Sequence, residues 1–135
     1  MHSSTSVSEL NGLSILLVDD EEDSLEIAST ILRHAGAQVH AFGDAQTAFA
    51  ALEVIDPDLI VSDIGMPLED GYSFMKRVRS SPWLRGNSVP SLAVTAFTSE
   101  SDRKRAFAAG YVAHLGKPVT AQSLVEAVRA LSAPV

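Results

Sequence analysis

From Leu13 onward the chain alternates between short apolar runs and longer stretches in which apolar residues recur every three or four positions. The short runs read as strands, and the longer spacing reads as helices with one apolar face. Residues 15–18 predict a first strand. Residues 24–34 predict a helix with Leu25, Ala28, Ile31 and Leu32 on one face and Gly36 as its stop. Residues 39–42 predict a second strand, after which Asp44 caps a helix whose inner face is Ala45, Ala48, Phe49 and Leu52. Pro57 ends the connection to a third strand at 59–62. Gly71 opens a helix with Phe74, Met75 and Val78 inward, and residues 80–90, with two prolines and a glycine, read as a loop. A fourth strand at 92–95 precedes a helix at 101–109 that Gly110 stops. A fifth strand at 112–115 precedes a helix capped by Thr120, with Leu124, Val128 and Leu131 inward. Strand and helix alternating throughout imply an α/β fold, a parallel sheet covered by helices on both faces.

The first twelve residues are rich in Ser and carry no periodicity, so the expected division is a flexible tail or linker at 1–12 and one domain at 13–135. A chain of 135 residues, 46% of them hydrophobic, is long enough for one domain with a layered core. The formal net charge of −7 repels phosphate backbones, so no nucleic-acid partner is expected. Cysteine is absent, which excludes disulfides, thiolate metal sites and a cysteine nucleophile. No apolar run approaches the about 20 residues of a membrane span, and residues 1–6 lack the basic and apolar regions of a signal peptide. The expectation is a cytoplasmic protein with no membrane partner.

Chemistry concentrates where the strands end. The first strand runs into Asp19-Asp20, and the third runs into Asp63, with Gly65 two residues on. Thr95 ends the fourth strand, and Lys117-Pro118 follows the fifth. Open parallel sheets bind ligands at this edge. Three carboxylates brought together there repel and raise one another's pKa, and a hard cation such as Mg²⁺ relieves the conflict. The pattern reads as a metal pocket beside a carboxylate able to accept a phosphoryl group, whereas each Asp taken singly reads equally well as a helix cap.

An acidic pair, a lone Asp, a Thr and a Lys-Pro, in that order at successive strand ends, resemble the receiver domain of two-component response regulators over residues 13–131. The resemblance implies a five-stranded sheet in the order 2-1-3-4-5 with five helices, the flavodoxin-like arrangement. It implies that Asp63 is the phosphoacceptor, that Asp20 ligates Mg²⁺ (or Mn²⁺) directly, and that Asp19 acts through a metal-bound water. Gly65 would add its backbone carbonyl. Thr95 would be the switch hydroxyl, Lys117 the partner of the phosphoryl oxygens, and Pro118 the residue of a cis peptide bond. The implied donor is a histidine kinase or histidine phosphotransfer protein. The implied role is a two-component switch or phosphorelay intermediate, with kinase or output domains outside this chain. It is not an enzyme beyond self-catalysed phosphorylation and dephosphorylation. Residues 62–72 and 113–119 are also similar to receivers attached to hybrid histidine kinases.

One position departs from the family pattern. His114 stands three residues before Lys117, where Tyr or Phe is usual, and Tyr111 is three residues too early to take that role. His114 is read either as a switch residue, sensitive to pH, or as an inert ring. Glu21, Glu22 and Asp23 are expected to solvate the start of the first helix. His2, His34 and His40 show no ligand spacing. Arg103-Lys104-Arg105 reads as a solvated face or a docking surface, and Trp83 as locally packed or, if exposed, as a mark of a contact. Two other functions fit the strand-end acids less well. A phosphoaspartyl hydrolase of haloacid dehalogenase type needs an acid at position 65, which is glycine. A flavodoxin-like nucleotide or flavin binder needs a Gly- or Ser/Thr-rich loop where Asp19-Asp20-Glu21-Glu22 stands.

Overall fold

The computed structural model of the chain describes residues 9–132; the first eight residues of the predicted tail and the last three of the predicted domain lie outside the described residues. Five strands, β1 (Ser14–Val18), β2 (Gln38–Phe42), β3 (Leu59–Ser62), β4 (Ser91–Thr95) and β5 (Ala113–Gly116), pair in parallel in the order β2-β1-β3-β4-β5. The helices between and after them are α1 (Glu22–His34), α2 (Ala45–Ala51), α3 (Gly71–Arg79), α4 (Glu100–Ala109) and α5 (Ala121–Ser132).

Side chains alternate across each strand, which gives the sheet two apolar faces. Leu16, Val18, Ile60 and Ala93 pack against α2, α3 and α4 through Ala48, Phe74, Met75, Val78 and Ala106. Ile15, Leu17, Val61 and Val94 pack against α1 and α5 through Ala28, Leu32, Leu124 and Val128. The sheet is thus buried on both sides, as its near-continuous apolar strands require.

Element boundaries moved for local reasons. Helix α1 begins at Glu22, two residues earlier than predicted, with Glu22 and Asp23 in its first turn, where negative charge suits the helix dipole. Helix α4 begins at Glu100 because Ser99 and Asp102 form a reciprocal capping box. Strand β5 starts at Ala113 rather than residue 112, and Val112 is exposed. The loop at 80–90 contains one 3-10 turn, Arg85–Ser88.

The predicted boundary at Gly12 is corrected for residues 9–12. Leu10 is 1% exposed, its N–H donates to the Ala35 carbonyl at 2.9 Å, and it belongs to the α1/α5 core. Glu9 pairs with Arg129 at 3.2 Å. A short segment without helical or strand period had offered no sign of burial, since one anchoring leucine makes no pattern. Leu10→Ala is expected to destabilise the domain by about 2–5 kcal/mol, the range for a fully buried leucine, read from the midpoint of urea unfolding. An unchanged midpoint would show that this segment contributes nothing to the fold.

Candidate functional site

The strand register itself assembles the site. Val18 lies beside Ser62 in the β1–β3 pair, and Thr95 beside Gly116 in the β4–β5 pair, so the residues that follow emerge at one edge. The ladder continues one residue past the strands. The Asp63 N–H donates to the Val18 carbonyl at 2.9 Å, that of Asp19 to Phe42 at 3.1 Å, and that of Lys117 to Thr95 at 2.9 Å. The chemical residues are therefore held by the sheet rather than by free loops.

Asp19 and Asp63 are buried and Asp20 is exposed. One carboxylate oxygen from each lies within 4.8 Å of the other two. Asp63 Oδ1 accepts from the Ile64 N–H at 2.7 Å, and Oδ2 lies 3.3 Å from Lys117 Nζ. Burial and the neighbouring charge of Asp19 raise the Asp63 pKa, against the pull of Lys117 and of the Ile64 N–H. Lys117 Nζ also donates to Asp19 Oδ2 at 2.9 Å and to Glu21 Oε1 at 3.1 Å. Burial works against the charge of Lys117, but its bonds to Asp19 and Glu21 and the charge of Asp63 outweigh burial, so its pKa is raised and it stays protonated.

Three carboxylates thus share one ammonium, and Asp20 adds a fourth beside Asp19 and Asp63. The remaining negative charge, with hard oxygen donors close together, fits a small divalent cation such as Mg²⁺. A cavity of about 250 Å³ opens above them, bounded by Asp20, Asp63, Gly65, Thr95, Phe97 and Lys117. Thr95 is buried, and its Oγ1 accepts from the Phe97 N–H at 3.1 Å.

Asp19, Asp20, Asp63, Gly65, Thr95 and Lys117 are thus brought together, and the Lys117–Pro118 peptide bond is cis. His114 is not in the cavity: its Nε2 lies 2.9 Å from the Phe97 carbonyl oxygen. Tyr111 is buried, and its hydroxyl donates to the Gly71 carbonyl at 2.8 Å. The basic run divides, with Arg105 stacked 4.1 Å from the centre of the Tyr72 ring and Lys104 4.0 Å from Glu100. Trp83 is 67% exposed, which sets aside local packing, the first of its two readings, and Leu84 beside it is buried in its place.

Three contributors escaped the sequence reading. Glu21 was visible in the acidic run but carried no sign of its bond to Lys117, 96 positions away. Phe97 has no periodic partner. Gly71 looks in sequence like a helix opener alone, whereas an added Cβ there would collide with the Asp63 carbonyl and the Ile64 backbone.

The sheet order and the acidic C-terminal edge define a doubly wound α/β domain built around a carboxylate cluster and a lysine. The chain belongs to the response regulator receiver domain family, which matches residues 15–129, and it is a receiver domain of two-component signalling. Membership sets aside the hydrolase and nucleotide-binding alternatives.

The chain is 37% identical over 117 residues to an uncharacterized 14.6 kDa protein in the sodA1 3′ region of Leptolyngbya boryana, covering 87% of this chain and 88% of that one. It is 34% identical to hybrid signal transduction histidine kinase D of Dictyostelium discoideum, with 90% of this chain matching 8% of that protein. Among solved structures, the receiver domain of a sensor histidine kinase from Pseudomonas aeruginosa superposes with a TM-score of 0.81 at 30% identity, covering 90% of this chain and 98% of that one. That structure has a magnesium ion coordinated in its active site cleft. Hybrid kinases and transcriptional regulators both occur among the relatives. No helix of the described residues is long and apolar enough to cross a membrane.

Proposed function

We propose that Asp63 accepts a phosphoryl group from a phosphohistidine on a histidine kinase or histidine phosphotransfer protein. In this reading Asp19, Asp20, Asp63 and the Gly65 carbonyl hold one Mg²⁺, or Mn²⁺ in its place. The observation that carries it is the convergence of Asp63, Asp19 and Asp20 with Lys117 beside a small open cavity.

An oxygen of Asp63 attacks phosphorus as the P–N bond to the donor imidazole breaks, and the imidazole nitrogen leaves with the bonding pair. The barrier is largely the repulsion between the carboxylate and the phosphoryl oxygens. Lys117, 3.3 Å from Asp63 Oδ2, supplies fixed positive charge against it. A divalent cation bound by these carboxylates would add further positive charge toward the transferring oxygens. The Ile64 N–H holds Oδ1 and so orients the carboxylate before the donor arrives. Thr95 lines the same cavity, and its hydroxyl can donate to a new phosphoryl oxygen, making it the sensor of the modified state. The chain's own part is self-catalysed transfer and hydrolysis at Asp63, in the cytoplasm, with output through domains or partners beyond this chain. The kinase and transcriptional-regulator relatives support that arrangement.

Acetyl phosphate with Mg²⁺ is expected to add one phosphoryl group per chain, seen by intact-mass measurement. No gain, or equal gain in excess chelator, overturns the reading. The metal assignment has its own check. Titration of Mg²⁺ followed by amide NMR is expected to shift Asp63 and Gly65 in the parent and to need several-fold more metal in Asp20→Asn. Equal affinity in that variant would remove Asp20 from the ligand set.

A further inference from the structure

The loop that leads from Asp63 to α3 is pinned at both ends and strained in the middle. Met66 is buried, and its N–H donates to the Ile64 carbonyl at 2.9 Å, closing a tight turn around Gly65. Asp70 caps α3 by accepting from the Ser73 N–H at 2.9 Å. Between them Leu68 has a φ of 69°, in the left-handed region that leucine rarely takes. The Glu69 N–H donates to the Pro67 carbonyl at 2.7 Å, which makes Leu68 the centre of a strained three-residue turn. The Leu68 side chain is fully exposed, so no packing of its own holds it there. Glu69 supplies the hold. Its carboxylate accepts twice from Arg77, from Nε at 2.8 Å and from Nη2 at 2.6 Å, and once from Ser73 Oγ at 3.0 Å. The Arg77 guanidinium also lies 4.0 Å from the centre of the Phe49 ring on α2. One carboxylate thus fastens the loop to two helices.

We propose that Glu69 and Arg77 are positioning residues for the metal: their pairing holds the strained turn at Leu68 and so fixes the Gly65 carbonyl beside Asp63. The inference rests on the reading that Asp63 and Gly65 share one Mg²⁺. Most surface ion pairs contribute little, because two long side chains must be ordered in water. This pair is bidentate and stacked on an aromatic ring, which makes it stronger and fixes its geometry. A residue at positive φ stays there only while its surroundings hold it. Without the pair, Leu68 relaxes toward negative φ, and the chain on its N-terminal side must turn to follow. Pro67 cannot absorb the rotation about its own φ, which its ring locks, and Met66 is anchored by burial. Gly65 is the freest joint in the segment, so the rotation falls there. Mg²⁺ demands short bonds in near-octahedral array, so a carbonyl that swings is a poor ligand.

The test is Mg²⁺ titration followed by the Asp63 and Gly65 amides in ¹⁵N-labelled protein, beside urea unfolding of each variant. Glu69→Ala and Arg77→Met remove the pair from either end, and both side chains are partly exposed, so the core is left whole. Each variant is expected to need several-fold more Mg²⁺ than the parent. Leu68→Gly alone, with the pair intact, binds as the parent does. Leu68→Gly added to Arg77→Met recovers most of the lost affinity, because glycine takes positive φ without strain. A purely structural pair would lower the unfolding midpoint, leave the affinity of the folded chain unchanged and give Leu68→Gly nothing to recover. Affinity equal to the parent's in both Glu69→Ala and Arg77→Met overturns the proposal and leaves the metal assignment intact. So does a loss of affinity that Leu68→Gly fails to recover. A parent in which Mg²⁺ shifts neither Asp63 nor Gly65 overturns the metal assignment and the proposal with it.

Discussion

Asp63→Asn is expected to abolish phosphoryl uptake while leaving the domain folded. The amide oxygen can still accept from the Ile64 N–H, as Oδ1 does at 2.7 Å, so the side chain keeps its seat. What is lost is the anionic nucleophile, and the rate of transfer should fall by roughly a thousand-fold or more. Lys117 retains Asp19 at 2.9 Å and Glu21 at 3.1 Å, so no charge is left bare. The direction of the stability change also follows. Burial and Asp19 raise the Asp63 pKa above its ordinary 3.8, so the folded chain binds that proton more tightly than the unfolded chain does. Above that pH the ionised group opposes folding, and below it the opposition disappears. Asp63→Asn should therefore be at least as stable as the parent at neutral pH, with the difference shrinking on acidification toward pH 3.8. Intact-mass measurement after acetyl phosphate, with urea unfolding at two pH values, checks both parts. The same mass gain in the variant would place the acceptor elsewhere, and a variant markedly less stable at neutral pH would mean that Asp63 holds the fold.

Gly71→Ala is expected to damage fold and site together. Gly71 opens α3 directly against the loop that follows Asp63, its N–H donating to the Ile64 carbonyl at 2.7 Å and its carbonyl accepting from the Tyr111 hydroxyl at 2.8 Å. An added Cβ would overlap the Asp63 carbonyl oxygen, stand 2.7 Å from Ile64 Cα, and stand 3.0 Å from Ile64 Cδ1. The first two are backbone atoms and cannot rotate away. Relief requires α3 to withdraw from β3, which breaks the hydrogen bonds just named and shifts Asp63 against Lys117. Overpacking of this kind costs about 3 kcal/mol or more. Urea unfolding should show that loss, and phosphoryl uptake should slow even in the fraction that remains folded. A midpoint within about 0.5 kcal/mol of the parent, the scatter of an innocuous substitution, would show that the helix slides freely.

Much of the architecture was legible because strand and helix periods are local properties of the chain. Ile15, Leu16, Leu17 and Val18 form a run too short for a helix and apolar on both faces, which already required a sheet covered on two sides. Asp19, Asp20, Asp63, Thr95 and Lys117 were legible because each directly follows or ends such a run, and parallel strands must bring those ends to one edge. What escaped depends on residues far apart in sequence that meet only once the layers have packed. That α1 and α5 share one face and α2, α3 and α4 the other is settled by the crossovers, to which a helix's own apolar stripe gives no clue. Arg79 shows the same limit. Its guanidinium donates to the Asn87, Val89 and Gly110 carbonyls and to Ser91 Oγ, joining the 80–90 loop to β4 and the end of α4, yet in sequence it is one basic residue at a helix terminus. Leu10 under α1, Glu21 on Lys117 and Phe97 over Gly65 are of this kind. By itself the sequence determined the elements, their parallel pairing and the residues offered at the strand ends, because these follow from short-range periodicity and chain direction. The tertiary structure alone decided which side chains share Lys117, what lines the cavity beside Asp63 and that His114 meets the Phe97 carbonyl, because those contacts exist only where separate segments are packed within a few ångströms.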